Sequence, residues 1–213
     1  MVLSLEIINQ NSNVISIKLN DIPLQYANAL RRVCLNGIPI LAIDTVNIIE
    51  NSSVLADEGL AHRLALIPLS MPVSRFNEPL KCSCNNKSGC SNCRVILMMD
   101  SGSKDKTRTI MSNEIISENE DVKPVSNNIP IVELAVGQRL KIEAYARLGR
   151  GTTHAKWNSA NISVLTHTNR KNEYILTVES TGTLSPIQLI SSGINELSNR
   201  LHEFKENINK IEL

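Results

Sequence analysis

A cluster of cysteines constrains the fold of this chain more than any other stretch of its sequence. Four of the five cysteines fall within the segment "KCSCNNKSGCSNCRV", and they are Cys82, Cys84, Cys90 and Cys93. The residues between them are Ser, Asn, Lys and Gly, which do not build a hydrophobic core. Another source of free energy must order this loop, and metal binding supplies roughly 10–16 kcal/mol in zinc-finger peptides. The cluster therefore predicts a loop held in shape by a metal ion.

The ligand set favours a structural zinc site, with two alternatives left open. Four thiolates complete a tetrahedral Zn²⁺ shell, whereas a catalytic zinc ion keeps one position for water. Four cysteines could also hold an iron–sulfur cluster, although their spacing matches neither common ferredoxin pattern. Disulfides or unliganded thiols are the third interpretation. In a reducing compartment, clustered cysteines bind metals more often than they form disulfides.

Two observations predict such a compartment. The opening "MVLSLEIINQ" lacks the basic region, apolar stretch and cleavage site of a signal peptide. No run approaches the length of apolar sequence that a transmembrane helix needs, about 18 residues. We therefore expect a cytoplasmic protein without a membrane span.

The composition is that of a globular protein and argues against several classes of function. Hydrophobic residues make up 42% of the 213 residues, and charged residues make up 20%. A net charge of +1 gives no sign of a nucleic-acid or membrane binder, and 3% aromatic residues argue against a stacking platform for single strands. The sequence contains no P-loop, dinucleotide-binding or hydrolase motif. We therefore expect no catalytic residue.

Periodic patterns predict strands and helices along most of the chain. A hairpin is predicted by apolar residues that alternate with polar ones: Leu3, Leu5, Ile7, Ile15, Ile17 and Leu19. The segment "DIPLQYANALRRVCLNGIP" predicts a helix with Asp21 as its N-cap, and "DEGLAHRLALIPL" predicts a shorter helix. Residues 101–128 are polar and have little periodicity, so we expect a long mobile connection there.

The last segment of the chain has the most regular pattern. Ser185 and Gln188 match a capping box, with Pro186 at the first helical position. Apolar residues then follow at alternating intervals of three and four: Ile187, Ile190, Ile194, Leu197, Leu201, Phe204, Ile208 and Ile211. This seam is narrower than the stripe with which a helix usually packs on its own core. We expect part of it to pair with a second polypeptide, and packing on the chain's own sheet is the alternative.

Four segments, in this order along the chain, resemble a known family. They are "NALRRVCLNGIPILAIDTVNI", "EGLAHRLALIPL", "GRGTTHAKW" and "EYILTVESTGTLSPIQLISSGINELSNRL". Together they resemble the alpha-type assembly subunits of DNA-directed RNA polymerase, and the archaeal D-type form is the most similar. That form is a relative of the third-largest subunit of the eukaryotic enzymes and of the bacterial alpha amino-terminal domain.

The resemblance implies an α+β fold with two domains. A discontinuous dimerisation domain, with an antiparallel sheet and two long helices, would comprise residues 1–50 and 166–213. An inserted, mostly β domain that carries the zinc loop would comprise residues 51–165. No cysteine follows Cys93, so the chain should lack the ferredoxin-like cluster of many archaeal relatives. The implied function is that of a non-catalytic scaffold in a nucleotidyltransferase complex.

The resemblance also assigns contacts with other subunits. A smaller homologous subunit, of the archaeal L type, would contact the two long helices at Leu30, Val33, Ile190, Ile194, Leu197, Leu201 and Phe204. The two large catalytic subunits, or the small zinc-bearing subunits of the archaeal N and P types, would contact Arg31, Arg32, His62, Arg63, His154 and Lys156. Any direct contact with DNA would be minor. The alternative function is a stand-alone zinc enzyme or a zinc-dependent nucleic-acid-binding protein.

Overall fold

The chain divides into two compact units in the computed structural model, which describes residues 4–84, 86 and 89–211. Both ends of the chain form unit 1, Met1–Pro39 with Arg150–Leu213, and the middle forms unit 2, Ile40–Gly149. The boundaries predicted after residues 50 and 165 lie elsewhere, because the strand that starts at Ile40 pairs along its whole length with the strand that ends at Gly149.

The described residues form ten strands and three α-helices. In chain order these are β1 (Ser4–Gln10), β2 (Val14–Asn20), α1 (Leu24–Asn36), β3 (Ile40–Asn51), α2 (Asp57–Ala65), β4 (Arg94–Gly102), β5 (Arg108–Met111), β6 (Ile116–Ser117), β7 (Pro130–Leu134), β8 (Arg139–Gly149), β9 (Ala160–His167), β10 (Tyr174–Ser180) and α3 (Pro186–Ile211). Short 3-10 helices also occur at Pro79–Lys81, Ser112–Glu114 and Ala155–Trp157.

Unit 1 is a four-stranded antiparallel sheet packed against helices α1 and α3. The strand order is β1–β2–β10–β9, so the predicted hairpin of β1 and β2 is confirmed, although Leu3 lies outside the described residues. Alternation along the central strands turns one set of apolar side chains towards the helices: Ile15, Ile17, Leu19, Leu176 and Val178. The edge strand β1 is exposed along its length.

Helix α1 begins later than the sequence predicted. Asp21 has a φ of 55° and lies in the turn after β2, so it is not the N-cap. Pro23 takes that position, and its carbonyl accepts hydrogen bonds from the N–H groups of Tyr26 and Ala27 at 3.0 and 3.3 Å. Proline suits this place because its ring fixes φ and it has no N–H that needs an acceptor.

Helix α3 begins with the capping box that the sequence predicted. The backbone N–H of Ser185 donates to Oε1 of Gln188 at 3.0 Å, and the backbone N–H of Gln188 donates to Oγ of Ser185 at 3.4 Å. These reciprocal bonds satisfy donors that the first turn of a helix leaves without partners.

Unit 2 is built on a four-stranded sheet in the order β3–β8–β4–β6, with β5 and β7 forming a separate two-stranded sheet. One face of the larger sheet contributes Ile43, Leu97 and Ala144 to a core that also includes Leu60 and Leu64 of α2. On the opposite face the side chains of β4 and β8 are half-buried or exposed. The fold is therefore mixed α+β with antiparallel sheets.

Residues 101–128 are not the long mobile connection that their composition predicted. They complete β4 and include β5 and β6, and they place Ile110, Ile115 and Val122 in the core of unit 2. A few apolar residues are enough to order this segment, because each of them packs into a core that is built mainly by other strands.

A polar cluster fixes the same segment. The guanidinium of Arg108 donates to both carboxylate oxygens of Glu114, at 3.0 and 2.9 Å, and the hydroxyl of Ser101 donates to the same carboxylate at 2.6 Å. Such a bidentate pair ties β5 to the 3-10 helix that follows it.

In the part of the chain that the structure describes, no helix has both the length and the apolar character needed to cross a membrane.

Candidate metal centre and assembly surface

The four clustered cysteines come together in the loop of unit 2 that leads into β4. Cys82 and Cys93 are buried, and Cys84 and Cys90 are half-buried. The backbone N–H groups of Cys93 and Arg94 both donate to the carbonyl of Cys90, at 2.9 and 2.8 Å. This tight turn brings the second pair of cysteines back towards the first pair.

The sulfur positions fit a tetrahedral metal site. The Sγ atoms lie 3.7 Å apart for Cys82 and Cys90, 3.9 Å for Cys84 and Cys93, and 3.8 Å for Cys90 and Cys93. Zinc–sulfur bonds of about 2.3 Å in a tetrahedron require sulfur atoms about 3.8 Å apart. All four sulfur atoms lie within 4.8 Å of one another, and none is in a disulfide. The donor set therefore matches one four-coordinate thiolate site.

The loop also supports its sulfur atoms chemically. The backbone N–H of Cys90 donates to Sγ of Cys93 at 3.2 Å, as expected around metal-bound thiolates. A backbone hydrogen bond at Asn86 lowers the pKa of Cys84 to about 7, whereas burial raises the pKa of Cys93 to about 12. Gly89 has a φ of 75°, and a Cβ there would lie 3.3 Å from Sγ of Cys93, so the turn requires glycine.

The second candidate surface lies on α3. The predicted interface residues of α1 and α3 fall into two groups by their exposure. Leu30, Val33 and Ile190 are less than a tenth exposed and stabilise the core of unit 1. The remaining four residues lie further along α3: Ile194, Leu197, Leu201 and Phe204. Among them Leu201 and Phe204 are 65% and 64% exposed. The apolar seam thus leaves the chain's own core beyond Ile190.

Some of the residues with which α3 packs on its own unit were missed by the sequence analysis. The missed residues are Leu189 and Gly193, both buried, which pack there together with the predicted Ile190. A Cβ on Gly193 would lie 2.9 Å from Sγ of Cys34, so glycine allows α1 and α3 to approach closely. The signal was present as a second set of small and apolar residues, with Pro186 before them and Ile190 beside them, at helical spacing.

Ion pairs fix the position of α3 relative to the end of α1. Arg150 donates to the carbonyl of Gly37 and to Oε1 of Glu196, at 2.5 Å each. Arg200 donates to the same carboxylate oxygen at 2.6 Å and to the same carbonyl at 3.3 Å. Both arginines therefore hold the exposed part of α3 in a defined direction.

The predicted contact residues of unit 1 are engaged locally to different degrees. Arg31 donates to Asn28 at 2.9 Å and to the carbonyl of Ser163 at 3.4 Å, whereas Arg32 is exposed. His154 caps a 3-10 helix by accepting a hydrogen bond from the backbone of Lys156 at 3.1 Å. The ammonium group of Lys156 lies 4.3 Å from the centre of the Trp157 ring.

The two predicted contact residues of unit 2 lie on α2. His62 is exposed. The guanidinium of Arg63 donates to the carbonyls of Pro130 and Ile131, at 2.7 Å each, and so joins α2 to β7. Arg63 therefore has a role within its own unit that its motif did not indicate.

Comparison with known proteins assigns the chain to a family. Residues 39–179, more than half of the chain, match the family described as "RNA polymerase Rpb3/RpoA insert domain". Curated relatives carry the name "DNA-directed RNA polymerase subunit Rpo3". The relative from Pyrococcus furiosus is 41% identical over 156 residues, which cover 73% of this chain and 56% of that protein.

Two further relatives with the same printed name agree with this match. The protein of Pyrobaculum neutrophilum is 44% identical over 133 residues, covering 62% of this chain and 50% of that protein. The protein of Archaeoglobus fulgidus is 36% identical over 164 residues, covering 77% and 61% respectively. The matched part thus spans between half and about three fifths of the length of these relatives. By its family match, this chain belongs to the RNA polymerase Rpb3/RpoA insert domain family.

Proposed function

We propose that the chain is a non-catalytic assembly subunit, of the archaeal D type, in a multisubunit DNA-directed RNA polymerase. The names of its relatives and its family support this function. Among the described residues, only the four clustered cysteines form a candidate metal group, and the sequence carries no catalytic motif. The subunit would act in the cytoplasm by pairing with a smaller subunit and then recruiting the catalytic ones.

The observation that carries the proposal is the exposed seam of α3. From Ile194 onwards, apolar residues continue at intervals of three and four, and among them Phe204 and Ile211 are 64% and 83% exposed. Full burial of one such side chain contributes about 1.5–3 kcal/mol. A partner helix that covers several of them therefore gains free energy that offsets the cost of association.

The partners are those that the resemblance to alpha-type subunits implies, and the division of the surface supports their placement. A smaller homologous subunit of the archaeal L type would cover the seam at Ile194, Leu197, Leu201 and Phe204. The two large catalytic subunits and the small zinc-bearing subunits, of the N and P types, would contact Arg31, Arg32, His62, Arg63, His154 and Lys156. Of these residues, Arg32 and His62 are the most open to a partner, since Arg63 is already bound to carbonyl oxygens of its own unit.

The cysteine loop would bind one structural Zn²⁺ through Cys82, Cys84, Cys90 and Cys93. The sulfur separations support this ligand set, and the closed shell argues against the alternative of a stand-alone zinc enzyme, which needs an open position. A zinc-dependent nucleic-acid-binding protein is not favoured either, because the net charge is only +1.

The proposed pairing is tested with two variants of α3, each of which introduces one negative charge at a different position. Leu197→Asp puts a carboxylate into the seam, and Asn199→Asp puts the same charge at an exposed polar position of the same helix. Each chain is tagged and purified from native cells under gentle salt, and its partners are quantified by mass spectrometry. We expect the Asn199→Asp and unsubstituted chains to recover a small homologous subunit and two very large subunits in near-equal amounts.

The Leu197→Asp chain should lose the small subunit first, because an unpaired carboxylate in an apolar interface costs several kilocalories per mole of binding free energy. Its circular dichroism spectrum should remain that of a folded chain, because Leu197 is not in the buried core. Recovery of the unsubstituted chain alone, or equal pairing by both variants, would overturn the scaffold proposal.

A further inference from the structure

Unit 2 contains a cleft that the scaffold function does not explain. It has a volume of about 370 Å³ and lies between the cysteine loop and the outer face of the larger sheet. The sheet contributes five polar, charged or aromatic side chains to its lining: Asp44, Thr45, Arg94, Tyr145 and Arg147.

Arg94 stands out among these residues because its guanidinium is held in place although none of the described residues offers it an anionic partner. The group lies 4.7 Å from the centre of the Tyr145 ring. Tyr145 is itself held by donating its hydroxyl proton to Glu143 at 2.7 Å. Within residues 4–84, 86 and 89–211, the side chain of Arg94 has no hydrogen-bond acceptor and no carboxylate within ion-pair distance.

A second guanidinium faces the first across the strands. Arg94 on β4 is directly opposite Arg147 on β8, and Arg147 is paired with Asp44 at 2.6 Å. Like charges at opposed positions destabilise a sheet unless an anion lies between them. A half-buried, positioned guanidinium with unmatched N–H donors is suited to bind a carboxylate in bidentate geometry.

Apolar side chains extend from this cation along the same face of β4. Ile96 is half-buried and Met98 is 49% exposed, and Met98 pairs with Ile116 of β6, which is 66% exposed. Alternate residues of a strand are separated by about 7 Å, which is also the spacing of alternate residues in an extended peptide. The surface therefore presents one cation followed by two apolar positions.

The charges around the cleft favour a polypeptide over a nucleic acid. Asp44 lines the cleft, and Glu143 lies beside Tyr145, so two carboxylates are close to the two arginines. A phosphate backbone carries one charge for every nucleotide and would be repelled by both carboxylates. A single acidic side chain brings only one negative charge to the two arginines.

We propose that this cleft, the Arg94 cleft, binds an extended polypeptide segment in which an acidic residue is followed by apolar residues. The segment belongs to another subunit of the polymerase, and to that extent the inference rests on the proposed function. Arg94 binds the carboxylate, and Ile96, Met98 and Ile116 contact the apolar residues. The cleft is thus a docking site in unit 2 that does not involve the α3 seam, and Cys93 of the cysteine loop is part of its lining.

The test introduces a photo-crosslinking residue, benzoylphenylalanine, in place of Thr45, which is exposed and lines the cleft. The substituted chain is assembled into the polymerase from recombinant subunits and irradiated, and cross-linked peptides are identified by mass spectrometry. We expect one other subunit to be cross-linked, through a segment with Asp or Glu next to apolar residues. When Arg94→Gln is combined with the photo-crosslinking substitution in the same chain, the yield of cross-linked product should fall about tenfold. That is the loss expected for one charge-assisted hydrogen bond.

Lys141→Gln is the matched control, because Lys141 is also a cation on the outer face of β8 but pairs with Asp100 outside the cleft. Yields are compared at equal incorporation of each chain into the complex. Cross-linking to nucleic acid, no cross-link in an assembled complex, or an equal yield with Arg94→Gln would overturn the docking site alone. Failure of the unsubstituted chain to assemble would overturn the proposed function and the docking site together.

Discussion

At the scale of single residues, the close packing at Gly193 predicts how a substitution there changes the free energy of unfolding. Its missing side chain lets α3 approach α1 until a Cβ would lie 2.9 Å from Sγ of Cys34 and 3.4 Å from Cδ1 of Leu30. Overpacking of a core costs about 1–3 kcal/mol, and the better helix propensity of alanine offsets up to about 1 kcal/mol. We expect Gly193→Ala to lower the free energy of unfolding by about 1–2 kcal/mol, measured by urea denaturation.

The matched control is Gly59→Ala in α2. There a Cβ would meet only Cδ2 of Leu55 at 3.6 Å, which is ordinary contact. The substitution should be neutral or stabilise the chain by about 0.4–1 kcal/mol through the unfolded state. The close approach of the two helices would be contradicted by a Gly193→Ala chain as stable as the Gly59→Ala chain.

Glu114 predicts how stability depends on acidity. Burial alone raises the pKa of its carboxyl, but hydrogen bonds from Ser101 and Arg108, with the charge of Arg108, lower the pKa below its usual value of 4.5. Below that value the unfolded chain takes up a proton that the folded chain does not yet bind. The stability due to this group is therefore complete above pH 4.5 and is lost as the pH falls through the folded-state pKa.

Glu114→Gln should flatten the acid part of the stability curve, because the amide does not titrate. The measurement is the urea midpoint from about pH 6 to about pH 3, where this carboxyl changes its charge. Glu133→Gln, at an exposed position on β7, should retain the slope of the unsubstituted chain. A slope that Glu114→Gln leaves unchanged would show that the cluster contributes nothing to acid stability.

At the scale of elements, α3 combines two surfaces whose stability should differ. Its buried residues all lie in the first third of the helix: Pro186, Leu189, Ile190 and Gly193. Residues 201–211 are exposed throughout, and an isolated helix of that length is marginal in water. We expect hydrogen exchange of these amides to be faster than exchange of residues 189–197 in the isolated chain, and to slow when the small subunit is added.

A matching measurement on α1 separates pairing from general stabilisation. The amides of Leu30 and Val33 lie in a helix that the chain's own core already covers, so their exchange should change less on pairing. Equal protection of residues 189–197 and 201–211 before the partner is added would contradict the division of α3.

The sequence predicted elements well where a local pattern carries the signal. The alternation in β2 and β8, the capping box at Ser185 and the spacing along α3 all depend on neighbouring residues, and the structure has them as predicted. The prediction of a mobile connection at residues 101–128 was wrong because the order of this segment depends on a core that distant strands build. The carbonyl partners of Arg63 join residues far apart in the chain, so no local pattern could predict them. Helical spacing marked Gly193 as a possible packing position, but it could not identify Cys34 of α1 as the neighbour.

At the scale of the whole molecule, the metal site and the α3 seam belong to different units, which predicts that they can be separated. All four clustered cysteines are in unit 2, and the seam is in unit 1. With zinc bound as proposed, a chelator should release about one ion per chain and expose four thiols to a thiol reagent. Pairing through the seam should persist, as measured by size-exclusion chromatography with light scattering.

Cys34 provides the internal control for that experiment. Burial raises the pKa of its thiol to about 12, and the residue has no exposed surface, so it should stay unreactive until unit 1 unfolds. Reaction of all five cysteines after chelation alone, or loss of pairing, would contradict the independence of the two sites.

The division of the chain into two units also sets the order in which they can fold during synthesis on the ribosome. Unit 2 is continuous, so it is complete in sequence once Gly149 has been synthesised. Unit 1 must wait, because its central strand β2 needs β10 as a neighbour and its helix α1 needs α3. On the proposed function, a nascent chain would finish the half that contains the cysteine cluster early, but would offer its partner a seam only after translation has passed that last helix. Truncated products would be excluded from assembly without any separate checkpoint.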